Sequence, residues 1–204
     1  MSQDYDWVQL LVALEACTPA LEWAADQGAA SVAWAECPRG DWMLWLAARA
    51  GVDRRLVVLA ACDCARLALP VWEDRYWDDA RPRTAIETAE RWARNEASAR
   101  DAASAADAAA YAGNAAYSAS GPGCALADAA HSAGSAAYTA VRVHERAYSP
   151  YVTSATYAAL AAARAGTHRW CADAIRARIP TETIRMAMLR VAESYSEAML
   201  MGAL

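Results

Sequence analysis

The sequence contains no phenylalanine and no lysine. All 19 basic residues are therefore arginine, and the aromatic content is nine tryptophans and nine tyrosines. Lysine, phenylalanine, asparagine and isoleucine have AT-rich codons, so this bias points to a GC-rich bacterial or phage genome. Arginine in place of lysine then carries no functional meaning by itself. Valine and isoleucine are sparse and never sustain an alternating pattern, which argues against a β-sheet. The longest apolar run, residues 56–69, is too short to span a membrane and is broken by Asp63 and Arg66. The start, MSQDYDWVQLLVALEA, has neither a basic stretch nor a cleavage motif, so no secretory leader is expected and a cytoplasmic location is.

Catalytic signatures are missing as well. The three histidines (131, 144 and 168) are isolated, and no HExxH motif occurs. Gly121-Pro122-Gly123 has glycines, but it follows a helical stretch and lacks a GKS or GKT, so it reads as a turn. Six cysteines (17, 37, 62, 64, 124 and 171) are widely spread and read as buried free thiols. Cys62-Asp63-Cys64 would place its residues about 100° apart on a helix, with no second thiol pair or histidine nearby to complete a metal set. No metal and no cofactor is expected. The formal net charge is −5, with arginines scattered among aspartates and glutamates. Direct nucleic-acid binding is disfavoured. An acidic chain suits a basic protein partner, with steering aiding the encounter.

What is present is alanine, more than a quarter of the chain, and clear helix punctuation. Helices are predicted over 6–16, 20–27, 42–50, 54–69, 84–95, 97–119, 125–148, 152–165, 168–179 and 181–201, with a further turn or two over 29–36. Thr18, Asp41 and Asp53 are the expected N-caps. Gly28, Gly51, Pro70, Gly121 and Gly166 are the expected stops. The fold expected is a single all-α domain over 1–204, a compact bundle of about nine helices. Its first half (1–95) is tryptophan-rich and its second half (96–204) alanine- and tyrosine-rich. Alanine has the best helix propensity but buries little area, so the second half needs close helix–helix approach. Tyr111, Tyr117, Tyr138 and Tyr157 would serve as larger knobs among small holes.

Three places stand out. Asp63 lies in LVVLAACDCARLAL, apolar almost all round, where a buried carboxylate needs a partner; Arg66 at i+3 is the expected one. CPRGDWMLWLAARAG (37–51) holds an Arg-Gly-Asp triplet that reads as a turn and cap. Pro38 and Gly40 turn the chain, Asp41 caps, and Trp42, Trp45 and Leu46 form a buried stripe. Arg39 is left to pair locally or to face a partner. The third is VWEDRYWDDARPR (71–83), which has no helical period and reads as a loop. There Trp72, Tyr76 and Trp77 alternate with Glu73, Asp74, Asp78 and Asp79. Exposed, these would supply aromatic anchors and acidic steering for a protein partner.

Four stretches together carry a resemblance: ACTPALEWA (16–24), CPRGDWMLWLAARAG (37–51), LAACDCARLALP (59–70) and RPRTAIETAERWA (81–93). With the Ala- and Tyr-rich tract that follows, they resemble a bacterial and phage immunity-protein family. The resemblance implies an all-helical, non-enzymatic protein that neutralises a toxin or effector by binding it. It brings no catalytic residues. Alternatives from the residues alone are a phage-encoded inhibitor of a defence complex (anti-CRISPR-like), a helical enzyme built on Asp63 or a cysteine, and an oligomeric scaffold whose small-residue faces pair between chains.

Overall fold

The computed structural model describes residues 7–121, 124–141, 157–158, 160–162, 164 and 168–200. The fold is all-α, with ten helices and no strand among the described residues. They are α1 (Trp7–Ala13), α2 (Thr18–Ala25), α3 (Ala30–Glu36), α4 (Gly40–Arg49), α5 (Arg54–Glu73), α6 (Arg81–Ala93), α7 (Ala99–Ser120), α8 (Ala125–Val141), α9 (His168–Arg178) and α10 (Thr181–Leu200). Positions 157, 158 and 160–162 are helical too. His144, Ser149-Pro150, Gly166 and most of the expected 152–165 helix lie outside the described residues.

The central helix is α5, against which α4, α6, α8 and α9 pack; α6, α7 and α8 also pack on one another. Val57, Val58, Ala61, Cys62, Cys64, Ala65 and Ala68 of α5 are all fully buried. A more apolar helix surface than an ordinary amphipathic stripe is what a central position requires. At the other end, α10 meets α1 and α3. One buried cluster runs through all of these elements, from Leu10 to Ala192.

The α7–α8 seam explains the alanine content. Ala102, Ala106, Ala109 and Ala112 of α7 and Ala130, Ala133 and Ala137 of α8 are all fully buried, and the two helices pack on each other. Gly134 lies so close to α7 that a Cβ there would stand 3.1 Å from the Ala106 carbonyl oxygen and 3.3 Å from the Ala110 nitrogen. The backbones themselves approach, and many small dispersion gains replace a few large side chains. The tyrosines are not knobs in this seam. Tyr111 is 70% exposed, Tyr117 and Tyr157 are also exposed, and Tyr138 reaches out to hydrogen-bond the Asp107 carboxylate. Tyr111, Tyr117 and Tyr157 thus turn to solvent, while Tyr138 is half-buried against the core and bridges from α8 to α7.

Arginine guanidinium groups close several helix C-termini across the tertiary structure. Arg49 donates to the Leu14 carbonyl after α1 at 3.0 and 3.1 Å. Arg176 donates to the Cys37 carbonyl after α3 at 2.8 Å. Arg54 donates to the Thr139 and Ala140 carbonyls in the last turn of α8, and its guanidinium lies 5.0 Å from the Trp92 ring centre. Each supplies a cation where unsatisfied carbonyls and the negative end of the helix dipole meet. The buried Trp34 indole donates to the Ile179 carbonyl at 3.1 Å and ties α3 to the end of α9.

Several local expectations are corrected. Pro70 does not stop α5, which continues to Glu73. Pro70 faces solvent, and burial of Leu69 and Trp72 in the next turn outweighs the backbone bond it removes. The irregular segment is therefore only 74–80. Cys17, not Thr18, is the N-cap residue of α2. Asp53 does cap α5, accepting from the Arg55 amide at 2.8 Å. Gly28, Gly51 and Gly121 end their helices at φ of 72°, 73° and 80°, where a side chain would be strained.

The CPRGD stretch also differs from its reading. Arg39 occupies the N-cap position of α4, and Asp41 sits inside the first turn. Arg39 holds both Asp41 carboxylate oxygens, at 2.8 and 2.6 Å, and lies 4.6 Å from the Trp42 ring centre. Gly40 is there for space: a Cβ would meet the Cys171 Cβ at 2.9 Å, so α4 rests directly on α9. The buried stripe of α4 is Met43, Leu44 and Ala47, while Trp42 and Trp45 are half-buried and line an apolar cleft of about 50 Å³ with Trp7, Trp23 and Trp34.

Asp63 does not pair with Arg66. Arg178 of α9 holds the Asp63 carboxylate at 2.9 and 3.0 Å, and Arg66 holds Glu90 of α6 at 2.6 and 2.7 Å. Asp63 is at the edge of the core rather than inside it, with its side chain 26% exposed. Helices crossing α5 on either side offer better geometry than a neighbour on the same helix.

Candidate functional site

The site grows out of the end of α5. Trp72 is on the buried face of the last turn, with 2% of its surface exposed. Its indole N–H donates to the Asp79 carbonyl at 3.1 Å, seven residues on, and so folds the 74–80 loop back over the ring. Tyr76 stacks on Trp72 at 4.7 Å between ring centres, tilted by 42°. The Tyr76 amide donates to the Trp72 carbonyl at 2.8 Å.

Asp79 closes the loop and starts α6. Its carboxylate accepts from the Arg81 amide at 3.1 Å and from the Arg81 guanidinium at 2.8 and 2.5 Å. The Arg81 hydrogen bonds hold the Asp79 carboxyl below the usual carboxylate range. Glu73 is paired with Arg83 at 2.5 Å. Pro82, in the first turn of α6, is buried and fixes the entry of that helix.

These bonds sort the sequence candidates into two groups. Trp72, Glu73 and Asp79 hold the loop in shape. Asp74, Trp77 and Asp78 face outward, and Tyr76 is half-buried between. Trp77 is 85% exposed. Among the described residues its ring has no aromatic or cationic neighbour, and the Asp74 and Asp78 carboxylates have no hydrogen bond or ion pair. A large apolar side chain left bare on a rigid loop is the informative kind of exposure.

Beneath the loop lies a groove of about 400 Å³, lined by Trp72, Tyr76, Asp78, Asp79, Arg81 and the α7 residues Ala112, Ala115 and Ala116. Its lining mixes alanines, two aromatic rings and charged side chains, and of the three alanines only Ala115 is exposed. Tyr111 of α7 flanks it, with the Arg81 guanidinium 6.0 Å from its ring centre. Arg81 and the α7 alanines were not singled out in the sequence, and Tyr111 was read there as a packing knob and not as a site residue. The alanines are indistinguishable there from those of the α8-facing side, and the tyrosine belongs to a tract that reads as packing.

The remaining chemistry is structural. Among the described residues no group of histidine, cysteine, aspartate and glutamate side chains is arranged to hold a metal ion. None of the six thiols is in a disulfide. Burial pushes the Cys62 and Cys37 thiols up, and a hydrogen bond with Cys171 together with burial pushes Cys64 up. Asp63 and Arg66, the candidates for a buried acid and its partner, are both consumed by ion pairs to other helices. No helix among the described residues is long and apolar enough to cross a membrane.

No curated protein and no solved structure is significantly similar to this chain. A family model does match it, over residues 50–179, the span from the end of α4 through α9 that contains the loop, the groove and the alanine seam. The CPRGDWMLWL stretch lies ahead of that span, whereas LAACDCARLALP and RPRTAIETAERWA fall inside it. The matched span is more than half of the chain, and the chain belongs to the family described as Imm-5 like putative immunity protein.

Proposed function

We propose that the chain neutralises a protein toxin by binding it stoichiometrically, without catalysis, and that the α5–α6 loop is the contact surface. The observation that carries this is Trp77, 85% exposed on a loop tied down by the Trp72–Asp79 and Arg81–Asp79 bonds. A rigid, uncovered tryptophan is the side chain most enriched among residues that dominate binding energy. Asp74 and Asp78 beside it supply the acidic steering expected of a chain carrying net charge −5. Family membership supports the immunity role, and Asp63, the acid considered for a catalytic alternative, is held in an ion pair with Arg178.

The experiment is co-expression. Each toxin encoded beside the gene is induced in a sensitive host with the wild-type chain, with Trp77→Ala, or with Asp74→Asn/Asp78→Asn. Wild type is expected to restore growth, and both variants to lose protection while remaining folded. Protection by both variants at wild-type dose would remove the loop as the contact. Failure of wild type against every such toxin would remove the immunity reading.

A further inference from the structure

We infer that the groove under the 74–80 loop receives an arginine side chain of the protein partner, its guanidinium lying against Trp77 and paired with Asp78. This rests on the docking reading above and specifies what the partner must present. The argument starts from how the site treats its own rings. The guanidinium of Arg75 lies 5.4 Å from the Tyr76 ring centre, and that of Arg81 lies 6.0 Å from the Tyr111 ring centre. Tyr76 and Tyr111 thus each carry a guanidinium from the chain itself, and Trp72 is sealed in the core. Among the described residues the exposed Trp77 carries none, although tryptophan is the best partner for such a contact.

The carboxylates are divided in the same way. Asp79 spends both oxygens on Arg81, at 2.8 and 2.5 Å, and a third contact on the Arg81 amide. Glu73 is held by Arg83. Asp78, which lines the groove next to Trp77 in sequence, has no partner among the described residues, and neither has Asp74. The groove therefore offers one open carboxylate, Asp78, with the exposed Trp77 next to it in sequence and the exposed Ala115 on its α7 side. An occupant needs an apolar stem to lie along Ala115, a flat cation to stack on Trp77, and donors for a carboxylate. Arginine meets all three. Lysine offers the stem and charge but not the planar fork.

The test uses the whole chain labelled with ¹⁵N and titrated with Nα-acetyl-arginine amide. Nα-acetyl-lysine amide and the neutral isostere Nα-acetyl-citrulline amide are run in parallel. The arginine probe is expected to shift the Trp77 indole N–H and the Ala112 and Ala115 amides saturably. Citrulline should leave them in place, and Asp78→Asn should weaken the arginine response by about threefold or more, the scale of an exposed ion pair. Citrulline acting as strongly as arginine, lysine binding more tightly than arginine, or an Asp78→Asn response equal to wild type would each overturn the inference. The toxin assay separates the two readings. A chain that protects cells yet ignores the arginine probe keeps the immunity role and loses this contact, while a chain that binds the probe and protects against no toxin does the reverse.

Discussion

The Trp72 indole and the Asp79 main-chain carbonyl are joined by a 3.1 Å hydrogen bond that spans the α5–α6 loop from below. The bond makes a core residue responsible for the posture of a surface one, because Trp77 lies between its two ends. Trp72→Phe removes the donor together with the part of the indole beyond a phenyl ring. It should cost about 2 kcal/mol of unfolding free energy and raise amide hydrogen exchange across 74–80. Trp72→Ala also opens a cavity and should cost about 3–5 kcal/mol. Urea denaturation of the two variants, with hydrogen exchange on Trp72→Phe, checks both figures. Equal exchange in wild type and Trp72→Phe would show that the bond does not hold the loop.

The α7–α8 seam sets up a contest between helix propensity and space. Gly134→Ala improves propensity by about 1 kcal/mol, yet its Cβ would press on the α7 backbone at Ala106 and Ala110, which cannot rotate away. We expect overpacking to win, for a net loss of about 1 kcal/mol. Gly113 is tight for a different reason: a Cβ there would lie 2.6 Å from the His131 ring, whose Nε2 is 3.1 Å from the Asn114 Oδ1. Gly113→Ala should therefore be destabilising alone and rescued by His131→Ala. Thermal melts of the double-mutant cycle read the coupling, and additive effects would contradict the contact.

How much of this was legible in the sequence follows from the range of each interaction. Helix class, most helix ends, the Asp53 cap and the glycine stops are local, and the pattern of residues specifies them. The acidic aromatic segment was visible as a composition. Its division into inward Trp72 and outward Trp77 was not, because that depends on the Trp72 bond to Asp79 and on Pro70 being tolerated on a solvent-facing side. The groove was invisible because one side of it comes from α7, some 35 residues on, in alanines identical to their neighbours. Ion-pair partners failed for the same reason. Asp63 and Arg178 are 115 residues apart, and nothing in either local sequence names the other.

That ion-pair correction is itself testable. A double-mutant cycle between Asp63 and Arg178 should show coupling of up to about 1 kcal/mol, since both side chains are partly exposed. The cycle between Asp63 and Arg66 should show close to none, because Arg66 is bound to Glu90. Coupling confined to the Asp63–Arg66 pair would restore the local reading. Chemical denaturation at low salt gives the best resolution, as screening shrinks exposed pairs.

The thiols should divide by burial. Cys17 is exposed, whereas Cys62, Cys64 and Cys171 are sealed and Cys62 and Cys64 are raised by burial and by neighbouring thiol contact. A thiol reagent at mildly alkaline pH should modify Cys17 at once in the native protein and the three sealed cysteines only after denaturation. Peptide mapping by mass spectrometry identifies the modified positions. Rapid native labelling of Cys62 or Cys64 would mean that α5 opens far more readily than its packing indicates.

Acid should loosen the 74–80 loop through Asp79. Its carboxyl is depressed by the Arg81 guanidinium, so the folded state binds its proton less readily than the unfolded state. Stability from this group is present above the ordinary aspartate value, about 3.9, and is lost as pH falls through the lower folded value. Asp101 and Glu182 are depressed too, so the raw acid limb mixes several groups. The difference between wild type and Asp79→Asn isolates one of them. The Arg81 side chain is 41% exposed, so that difference should be no more than about 1 kcal/mol near neutrality. It should stay flat down to about pH 5, shrink below that, and diminish in high salt at neutral pH. Urea unfolding of both proteins across this range gives the curve. A difference that grows on acidification would mean that Asp79 is protonated more readily in the folded chain, and that the Arg81 pair is not what holds the loop.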